Sequence, residues 1–392
     1  MIKTEAWVLH QSAESNGCKP GPGRLRREEW ELPDIGPQEV LAEPIYGCWE
    51  GNMAHALSRR PVDICRQRGE DKVVIGNAGV VRVLETGRQV STVKSGDTCI
   101  VFCNGIWDDQ GFPKKIYAYD APGTVGLLAR RTRLHERQLI PVPAGSRYSL
   151  RQWAAFSLRY ITAWSNWKMA YGCWRLATAS KNGPSMNGHR PTVWGWGGGV
   201  SFAEATLARL NGCPSGMISS CPRRLEQIAE SGLQHLDRRQ FAKLNFSMSR
   251  YQSDEGFRQD YQQAESTFLK LMAEAAGPQG VSIFIDFIGL PVYRATLKAL
   301  ARPGVVTTAG WKEGMNLRTL RALECMNWHM HVHTHYARYH EGLEAVEFAE
   351  GNGWLPPLDE TTYTWNEIPQ LADDYQSNRL STYFPIFQVN TP

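Results

Sequence analysis

A glycine-rich stretch at residues 192–201, TVWGWGGGVS, has the residue types that bind a phosphate group. Glycines let the backbone approach a pyrophosphate closely, and N–H groups at the start of a helix attract its negative charge. The stretch follows an apolar run and precedes a helical pattern, as dinucleotide-binding loops do. Ser201 stands where the last glycine of such a loop would be, so a tight turn without a ligand is the alternative. The candidate cofactor-binding residues are Gly195, Gly197, Gly198, Gly199 and Val200.

The end of the next predicted strand distinguishes NADH from NADPH. An acidic residue there binds the ribose 2′-hydroxyl, whereas a basic residue accepts a 2′-phosphate. This sequence has Ser219, Ser220, Arg223 and Arg224 and no carboxylate. Hydroxyl and guanidinium groups donate hydrogen bonds to a phosphate dianion. We therefore predict NADPH; the alternative is that both arginines only solvate the start of a helix.

Strands and helices alternate around these residues, which predicts a doubly wound parallel sheet with right-handed crossovers. The predicted strands are 192–194, 216–220, 281–287 and 305–309. The predicted helices are 202–210, 223–230 and 291–301. A polar insertion at 240–279, with helical segments at 254–263 and 266–276, interrupts the alternation. An excursion of this length is usually functional or structured.

The chain before residue 150 has a different pattern. Short apolar runs at 39–45, 72–76, 79–84 and 98–102 are separated by turn residues. This pattern predicts a compact, partly closed β-domain. A helix begins at about Leu150, with Ser149 as a candidate N-cap.

Composition argues against several classes of function. The 392 residues are 42% hydrophobic and 21% charged, as in an ordinary packed protein. The net charge of +4 is small and no long block of like charges occurs, which argues against nucleic-acid binding. Neither a signal peptide nor an apolar run long enough to span a membrane is present, so we expect a cytoplasmic protein. Nine scattered cysteines without a Cys-x-x-Cys pair predict reduced thiols.

Taken in order, the motifs resemble those of the medium-chain dehydrogenase/reductase family. Segments 36–41 and 94–97 resemble its N-terminal strand entry and barrel turn, and 160–164 resembles the helix that passes the nicotinamide. Segments 286–289 and 305–310 resemble the two strand ends that embrace the nicotinamide ring. The resemblance therefore adds five residues to the cofactor site: Thr162, Ile288, Gly289, Ala309 and Gly310.

This resemblance also implies the domain organisation. It implies an α/β protein with a Rossmann-type doubly wound domain and a GroES-like, partly closed β-barrel domain that binds substrate. Residues 1–165 would form the first part of the GroES-like catalytic domain, 166–325 the NADPH-binding domain, and 326–392 the return to the catalytic domain. We expect a homodimer or a homotetramer.

Zinc enzymes of this family bind a catalytic metal through a cysteine, a histidine in a Gly-His-Glu signature, and a later cysteine or acid. Cys48 matches the first position, but Asn77 stands at the histidine and Leu158 at the third ligand. Neither an amide nor an apolar side chain replaces imidazole or thiolate on zinc. The sequence therefore predicts no metal.

Within the zinc-independent branch, the chain is most similar to crotonyl-CoA carboxylase/reductases and related enoyl-thioester reductases. The similarity lies in the loop at 194–200, the strand end at 218–222, the insertion at 240–279 and the segment THYARY at 334–339. It implies that His335 helps to hold carbon dioxide, with Glu50 or Asn52 in place of a pocket asparagine.

The resemblance implies NADPH-dependent reduction of an α,β-unsaturated acyl thioester, carried by CoA or by an acyl carrier protein. Asn77, Thr162 and Tyr46 are candidate donors to the enolate oxygen. The α-carbon would be protonated, by His335 or by water, or carboxylated with CO2. The alternatives are a zinc-independent quinone, enal or ketone reductase and a catalytically silent nucleotide-binding protein.

Four histidines alternate at positions 329, 331, 333 and 335. On a strand they would share one face, where imidazoles could bind a transition metal. The preferred interpretation is a strand that leads to His335, with the other imidazoles packed or hydrogen-bonded.

Overall fold

The computed structural model describes residues 1–12, 21–179, 190–310, 312–313 and 316–392. The strands in these ranges are β1 (Ile2–His10), β2 (Leu25–Leu32), β3 (Glu39–Cys48), β4 (Lys72–Val73), β5 (Gly79–Thr86), β6 (Thr98–Val101), β7 (Asn104–Trp107), β8 (Pro113–Ile116), β9 (Thr132–His135), β10 (Leu139–Pro141), β11 (Val193–Trp196), β12 (Ser215–Ser219), β13 (Gln234–Asp237), β14 (Val281–Ile285), β15 (Leu300–Thr308), β16 (His329–His333), β17 (Thr362–Tyr363) and β18 (Ile386–Gln388).

The α-helices in the same ranges are α1 (Gly51–Ser58), α2 (Ile64–Arg68), α3 (Leu150–Thr178), α4 (Gly199–Leu210), α5 (Pro222–Glu230), α6 (Met248–Ser253), α7 (Glu255–Ala276), α8 (Leu290–Ala299), α9 (Arg321–Asn327), α10 (Tyr339–Asn352) and α11 (Ile368–Gln376). Short 3-10 helices cover Glu136–Gln138, Arg238–Phe241 and Trp365–Glu367. Among the described helices, none combines the length and the apolar character needed to cross a bilayer.

The chain divides into two compact units. The first unit contains residues 1–161 and 337–392 and is built mainly from β-strands. Its largest sheet has the order β10-β6-β5-β3-β18-β17, with β9 also paired to β3. A second sheet has the order β2-β1-β4, and β7 pairs with β8. The final strand β18 lies next to β3, so the C-terminal segment completes the sheet that the N-terminal part begins.

The second unit, residues 162–336, is built on one six-stranded sheet with the order β13-β12-β11-β14-β15-β16. Every strand pair in it is parallel, which confirms the predicted doubly wound sheet. The strand order reverses between β11 and β14. Ligands of open parallel sheets bind beyond the carboxyl ends of the strands at such a reversal.

The segment at 240–279 differs from its prediction as a polar insertion with two helical pieces. It contains one continuous helix, α7, because Ala264 and Glu265 between the predicted pieces are strong helix formers. Its buried face, which includes Phe268, belongs to the core of the second unit. The ring of Phe268 stacks on Trp196 at the end of β11, with centroids 5.2 Å apart. This segment is therefore part of the support for the glycine-rich loop.

Ser149 caps α3, as predicted. Its hydroxyl accepts a hydrogen bond from the backbone N–H of Gln152 at 3.3 Å, and the Gln152 side chain accepts one from the N–H of Ser149 at 3.1 Å. This reciprocal arrangement satisfies N–H groups that have no partner inside the helix.

We expect Ser149→Ala to lower the free energy of unfolding by about 1 kcal/mol, because an N-cap hydrogen bond is lost. Ser149→Asp restores an acceptor and should recover most of this loss. Denaturant unfolding followed by circular dichroism measures both variants. Equal losses in the two variants would contradict the capping role.

Candidate functional site

The glycine-rich loop joins the end of β11 to the start of α4. The N–H of Gly197 donates to the carbonyl oxygen of Ile218 on β12 at 2.9 Å, which fixes the turn against the sheet. Helix α4 begins at Gly199, earlier than the predicted start at 202, and Gly198 at its N-cap makes no side-chain capping bond. N–H groups of the first turn, which includes Val200, therefore point out of the helix toward a prospective anion.

Ser201, at the irregular last position of the loop, is fully buried. A Cβ atom added to Gly195 would lie 3.4 Å from the Cβ of Ser201, so the helix packs closely against the strand through these two residues. The Ser201 hydroxyl has no hydrogen-bond partner among the residues that the structure describes. A serine thus fits where the motif has glycine, because Gly195 opposite it has no side chain.

The predicted ribose-recognising residues follow β12. Ser219 is buried, and its hydroxyl accepts from the N–H of Cys221 at 3.3 Å, whereas Ser220 is exposed. Helix α5 begins at Pro222, which places Arg223 and Arg224 in its first turn. Arg223 is exposed and Arg224 is half-buried.

Two further cations, which sequence reasoning missed, lie at this edge of the sheet. Arg238 directly follows β13, and its guanidinium lies over the ring of Trp196, 5.7 Å from the centroid. Burial lowers the pKa of Arg238, although Glu313 and Asp286 raise it. Desolvation lowers the pKa of Lys312, and the nearby carboxylate of Glu313 raises it. The positive charges of Arg224 and Arg238 also lower the pKa of Lys312.

The charges of Arg224 and Arg238 therefore both act on Lys312, although the three residues come from segments that follow three different strands. We call these three residues the cation cluster. Their positions on the chain, 224, 238 and 312, contain no spacing signal that sequence patterns could detect. The cluster offers more positive charge than the two predicted arginines alone.

A tight turn after β14 holds Ile288 and Gly289. One carboxylate oxygen of Asp286 accepts from both of their N–H groups, each at 2.9 Å. Gly289 has a φ of +94°, a conformation that L side chains rarely adopt. Burial raises the pKa of Asp286 to about 6, although these backbone N–H groups lower it. The Asp286 carboxylate therefore holds the turn in place through hydrogen bonds from the backbone N–H groups of the turn.

The same carboxylate connects this turn to the glycine-rich loop. Thr296 donates to Asp286 at 3.1 Å, and the indole N–H of Trp196 donates to the Thr296 hydroxyl at 2.8 Å. At the end of β15, the N–H of Gly310 donates to the Thr308 hydroxyl at 3.2 Å, with the half-buried Ala309 between them. All these predicted cofactor residues lie at the carboxyl edge of the sheet.

A buried polar network lies behind the glycine-rich loop. The Asn166 side chain donates to Glu204 on α4 at 2.7 Å and accepts from Thr307 at 2.9 Å and from Thr334 at 2.7 Å. Asn166 lies one helical turn after Thr162, a predicted cofactor residue that is 5% exposed. Burial raises the pKa of Glu204 to about 8, although Asn166 lowers it. Sequence patterns gave no indication of this network.

In the first unit, Glu50 is buried against a cation. Its carboxylate oxygen Oε2 lies 3.0 Å from Nε of Arg159, and Nη1 of Arg159 donates to the sulfur of Cys48 at 3.2 Å. Burial raises the pKa of Glu50 to about 7, although Arg159 lowers it. Burial also raises the pKa of the Cys48 thiol. Glu50 is the N-cap residue of α1, yet its side chain makes no capping bond.

Asn77 is 1% exposed, and neither atom of its amide group has a hydrogen-bond partner among the described residues. The backbone on both sides is held: the carbonyl oxygen of Gly76 accepts from Leu127 at 2.8 Å, and that of Ala78 accepts from Cys48 at 2.9 Å. Buried polar groups are normally paired, so an unpaired amide on a fixed backbone is a candidate ligand-binding group.

Asn52 and Tyr46 lie in the same unit. The amide of Asn52, on α1, likewise has no partner within the described ranges. Tyr46 is half-buried on β3, opposite Val80 of β5 and Gln388 of β18.

The residues near Cys48 do not fit a catalytic zinc ion. Asn77 and Leu158 stand at the other two ligand positions that the resemblance gives, and Cys48 is bonded to a guanidinium. Among the described residues, no group of three or more histidine, cysteine, aspartate or glutamate side chains could hold a metal ion. The residue after Leu158, Arg159, was not among the predicted site residues, because an arginine is not a metal ligand.

The histidine alternation is only partly a strand. β16 contains His329, His331 and His333, and His335 follows two residues after its end, which confirms the preferred interpretation of a strand that leads to His335. The alternative, with all four imidazoles on one strand, does not hold, because His335 lies outside the strand. Glu324 accounts for two of the imidazoles, at 3.1 Å from His329 and 2.9 Å from His331. His335 is exposed, with its ring 4.4 Å from that of Tyr336. His335 belongs to the second unit, and the other predicted catalytic residues belong to the first.

No protein-family model matches the sequence, and no curated protein matches it. Solved structures resemble it over nearly the whole chain. Crotonyl-CoA carboxylase/reductase AntE in complex with NADP is 21% identical, covers 99% of this chain and 95% of its own, and has a TM-score of 0.80. The 2-octenoyl-CoA carboxylase reductase CinF in complex with NADP and 2-octenoyl-CoA is 19% identical, covers 98% and 87%, and has a TM-score of 0.77.

A thermostable alcohol dehydrogenase from Pyrobaculum aerophilum is 17% identical, covers 99% of this chain and 100% of its own, and has a TM-score of 0.69. At these identities the likeness establishes the fold. It confirms the predicted α/β fold class, a Rossmann-type domain with a GroES-like β-barrel domain.

Proposed function

We propose that the protein is an NADPH-dependent reductase of α,β-unsaturated acyl thioesters. The observation that carries the proposal is the dinucleotide-type loop followed by a basic strand end, in a fold whose substrate half has a buried guanidinium at the metal position. Structural neighbours with NADP and an enoyl-CoA add support.

The second unit would bind NADPH. The first turn of α4 would receive the pyrophosphate, and the ends of β14 and β15, with Ile288, Gly289, Ala309 and Gly310, would lie along the nicotinamide. Ser219, Ser220 and the arginines of α5 would bind the 2′-phosphate, with Arg238 and Lys312 adding charge. When bound, NADPH supplies the hydride for the β-carbon of the substrate.

Cofactor selectivity tests this assignment. We expect Arg224→Gln to raise the Kd for NADPH by about 10- to 100-fold and to leave the Kd for NADH within about threefold, because a charge-assisted hydrogen bond to the 2′-phosphate is lost. Arg238→Gln should change the ratio of the Kd for NADPH to the Kd for NADH in the same direction. Fluorescence titration with both nucleotides provides the measurement.

Arg209→Gln is the matched control, since it also removes one arginine charge but lies in the last turn of α4, at the end away from the glycine-rich loop. There Arg209 donates to the Gly232 carbonyl oxygen. Equal weakening of NADPH and NADH by Arg224→Gln would contradict recognition of the 2′-phosphate.

The first unit would stabilise the enolate that hydride addition produces. Without a metal, a fixed hydrogen-bond donor must meet the developing negative charge on the thioester oxygen. Within the first unit, the buried Asn77 amide is the strongest candidate and Tyr46 is a further donor; the third candidate donor, Thr162, belongs to the second unit. His335 or water is the candidate proton source for the α-carbon. If that carbon is carboxylated, the family resemblance gives Glu50, Asn52 and His335 as the candidate residues for CO2.

The experiment that tests the proposal is NADPH oxidation with enoyl-CoA and carrier-bound enoyl substrates, with and without bicarbonate, followed by mass analysis of the products. We expect oxidation with thioesters and much less with the corresponding free acids. A carboxylated product would establish reductive carboxylation. Equal turnover of simple quinones, enals or ketones would favour a reductase without a thioester preference, and tight NADPH binding without turnover would favour a nucleotide-binding protein.

The cytoplasmic location and the assembly as a homodimer or homotetramer stay predictions. Sedimentation of the purified protein checks the assembly.

A further inference from the structure

Arg159 is a buried cation held by four groups of the first unit. Its side chain comes from α3, and the residue is 5% exposed. Besides its contacts with Cys48 and Glu50, Nη1 donates to the carbonyl oxygen of Tyr383 at 2.8 Å, and Nη2 donates to that of Trp49 at 2.7 Å. The guanidinium is thus surrounded by one sulfur, one carboxylate and two carbonyl oxygens.

The four groups around the guanidinium are of the kinds that bind metal ions. Thiolate sulfur, carboxylate oxygen and carbonyl oxygen are all metal ligands in proteins. Cys48 is also the one position of the three zinc-ligand positions at which this sequence keeps a ligand residue. A metal ion bound to Cys48 and Glu50 would have to displace the guanidinium, because two cations in a buried site repel each other strongly.

We propose that Arg159 takes the place of a metal ion beside Cys48, as a fixed positive charge that excludes metal and positions the segment 48–50. A guanidinium stays protonated at any physiological pH, so this charge does not depend on metal supply. Glu50 balances it, which removes the cost of an unpaired buried charge. This pairing also explains why Glu50, at the N-cap of α1, does not cap that helix.

Arg159 acts as a positioning residue. By holding the Trp49 backbone and the Glu50 side chain, it fixes two buried polar atoms, the indole nitrogen of Trp49 and Oε1 of Glu50, that have no partner among the described residues. A metal ion in the same place would bind a substrate oxygen directly. The guanidinium instead donates its hydrogen bonds to groups of the protein itself. The indole nitrogen of Trp49 and Oε1 of Glu50 are then available for a ligand.

Cobalt binding to the purified full-length protein tests this inference independently of the proposed function. Co²⁺ bonded to a thiolate gives a charge-transfer absorption in the near ultraviolet, whereas cobalt on the histidines of β16 does not. We expect no Cys48-dependent band in the wild type, that is, no band that Cys48→Ser removes; thiols elsewhere, such as the exposed Cys325, give a signal that this substitution leaves unchanged. Arg159→Ala opens the site to sulfur, carboxylate and carbonyl ligands and should bind about one equivalent of Co²⁺ with the thiolate band.

Three comparisons complete the test. The band should vanish in Arg159→Ala with Cys48→Ser, and methylguanidinium should compete with Co²⁺ in Arg159→Ala. Arg159→Lys, which keeps a cation at this position, should not show the thiolate band. Arg159→Gln, which retains hydrogen-bonding groups, replaces Arg159→Ala if the latter does not fold. A Cys48-dependent band in the wild type, or its absence from both folded neutral variants, would overturn the inference.

Discussion

Replacing Asn77 by alanine is expected to lower kcat of the proposed enoyl-thioester reductase reaction by about 100-fold and to change KM only a few-fold, because removal of one preorganised donor to an oxyanion costs about 3 kcal/mol in the transition state. The donor is preorganised because backbone hydrogen bonds at Gly76 and Ala78 hold both neighbours of Asn77. Gly76 has a φ of +109°, and a Cβ added there would lie 3.1 Å from the backbone nitrogen of Leu127, so the position suits glycine. Steady-state kinetics with NADPH and an enoyl-CoA measure the effect.

Two variants separate the chemistry of the amide from its volume. Asn77→Asp keeps the shape but replaces the donor by an acceptor, so its kcat should fall at least as far. Asn104→Ala is the matched control: Asn104 is also a buried asparagine of the first unit, but its amide already donates to the Ala337 carbonyl oxygen at 3.1 Å. That control should lose stability and keep its kcat. If Asn77→Ala raised KM alone, the amide would bind substrate without stabilising the enolate.

Glu204→Gln should make the protein more stable than the wild type at high pH. The pKa of Glu204 is raised to about 8 in the folded protein, from an ordinary value of 4.5. Below pH 4.5 the carboxyl group is protonated in both folded and unfolded chains. Between pH 4.5 and 8 only the unfolded chain loses the proton, so the stability present below pH 4.5 is lost as the pH rises, by about 1.4 kcal/mol for each pH unit.

The difference between Glu204→Gln and the wild type should therefore grow from near zero at pH 4.5 to about 4 kcal/mol at pH 8. Glutamine keeps an oxygen that can accept from Asn166, so the network behind the loop is retained. Glu50 and Asp286 also titrate in this range, but they are present in both proteins and cancel in the difference.

Denaturant unfolding at several pH values gives the free energies, and Glu226→Gln, which removes an exposed carboxylate of α5, is the control. Parallel pH profiles for Glu204→Gln and the wild type would show that Glu204 is ionised in the folded protein.

Local patterns in the sequence were sufficient to predict the sheet of the second unit. The apolar run before residue 197 indicates a strand, and the glycines that follow indicate a tight turn. The strand β11, the loop and the helix α4 could therefore be predicted together. Alternation of strands and helices likewise predicted a parallel sheet, because each crossover returns the chain in the same direction. The helical character of the segment at 240–279 was predicted, but the two predicted pieces are one helix, α7. The role of α7 in the core was not predicted, because its apolar residues are widely spaced in the sequence and line up only on one face of the folded helix.

The glycine-rich loop, the basic end of β12, and Asn77 and Leu158 at two of the three positions where the resemblance gives zinc ligands were determined by the sequence alone, because each depends on residue type within a short stretch. The cation cluster, the Asn166–Glu204 network and the place of Arg159 were decided by the tertiary structure. The charges of Arg224 and Arg238 both act on Lys312 because the fold brings together segments distant in the chain. Arg159 meets Cys48 because α3 packs on the turn after β3. Burial then gives these charges their importance, since a charge removed from water must be balanced by the groups that the fold places beside it.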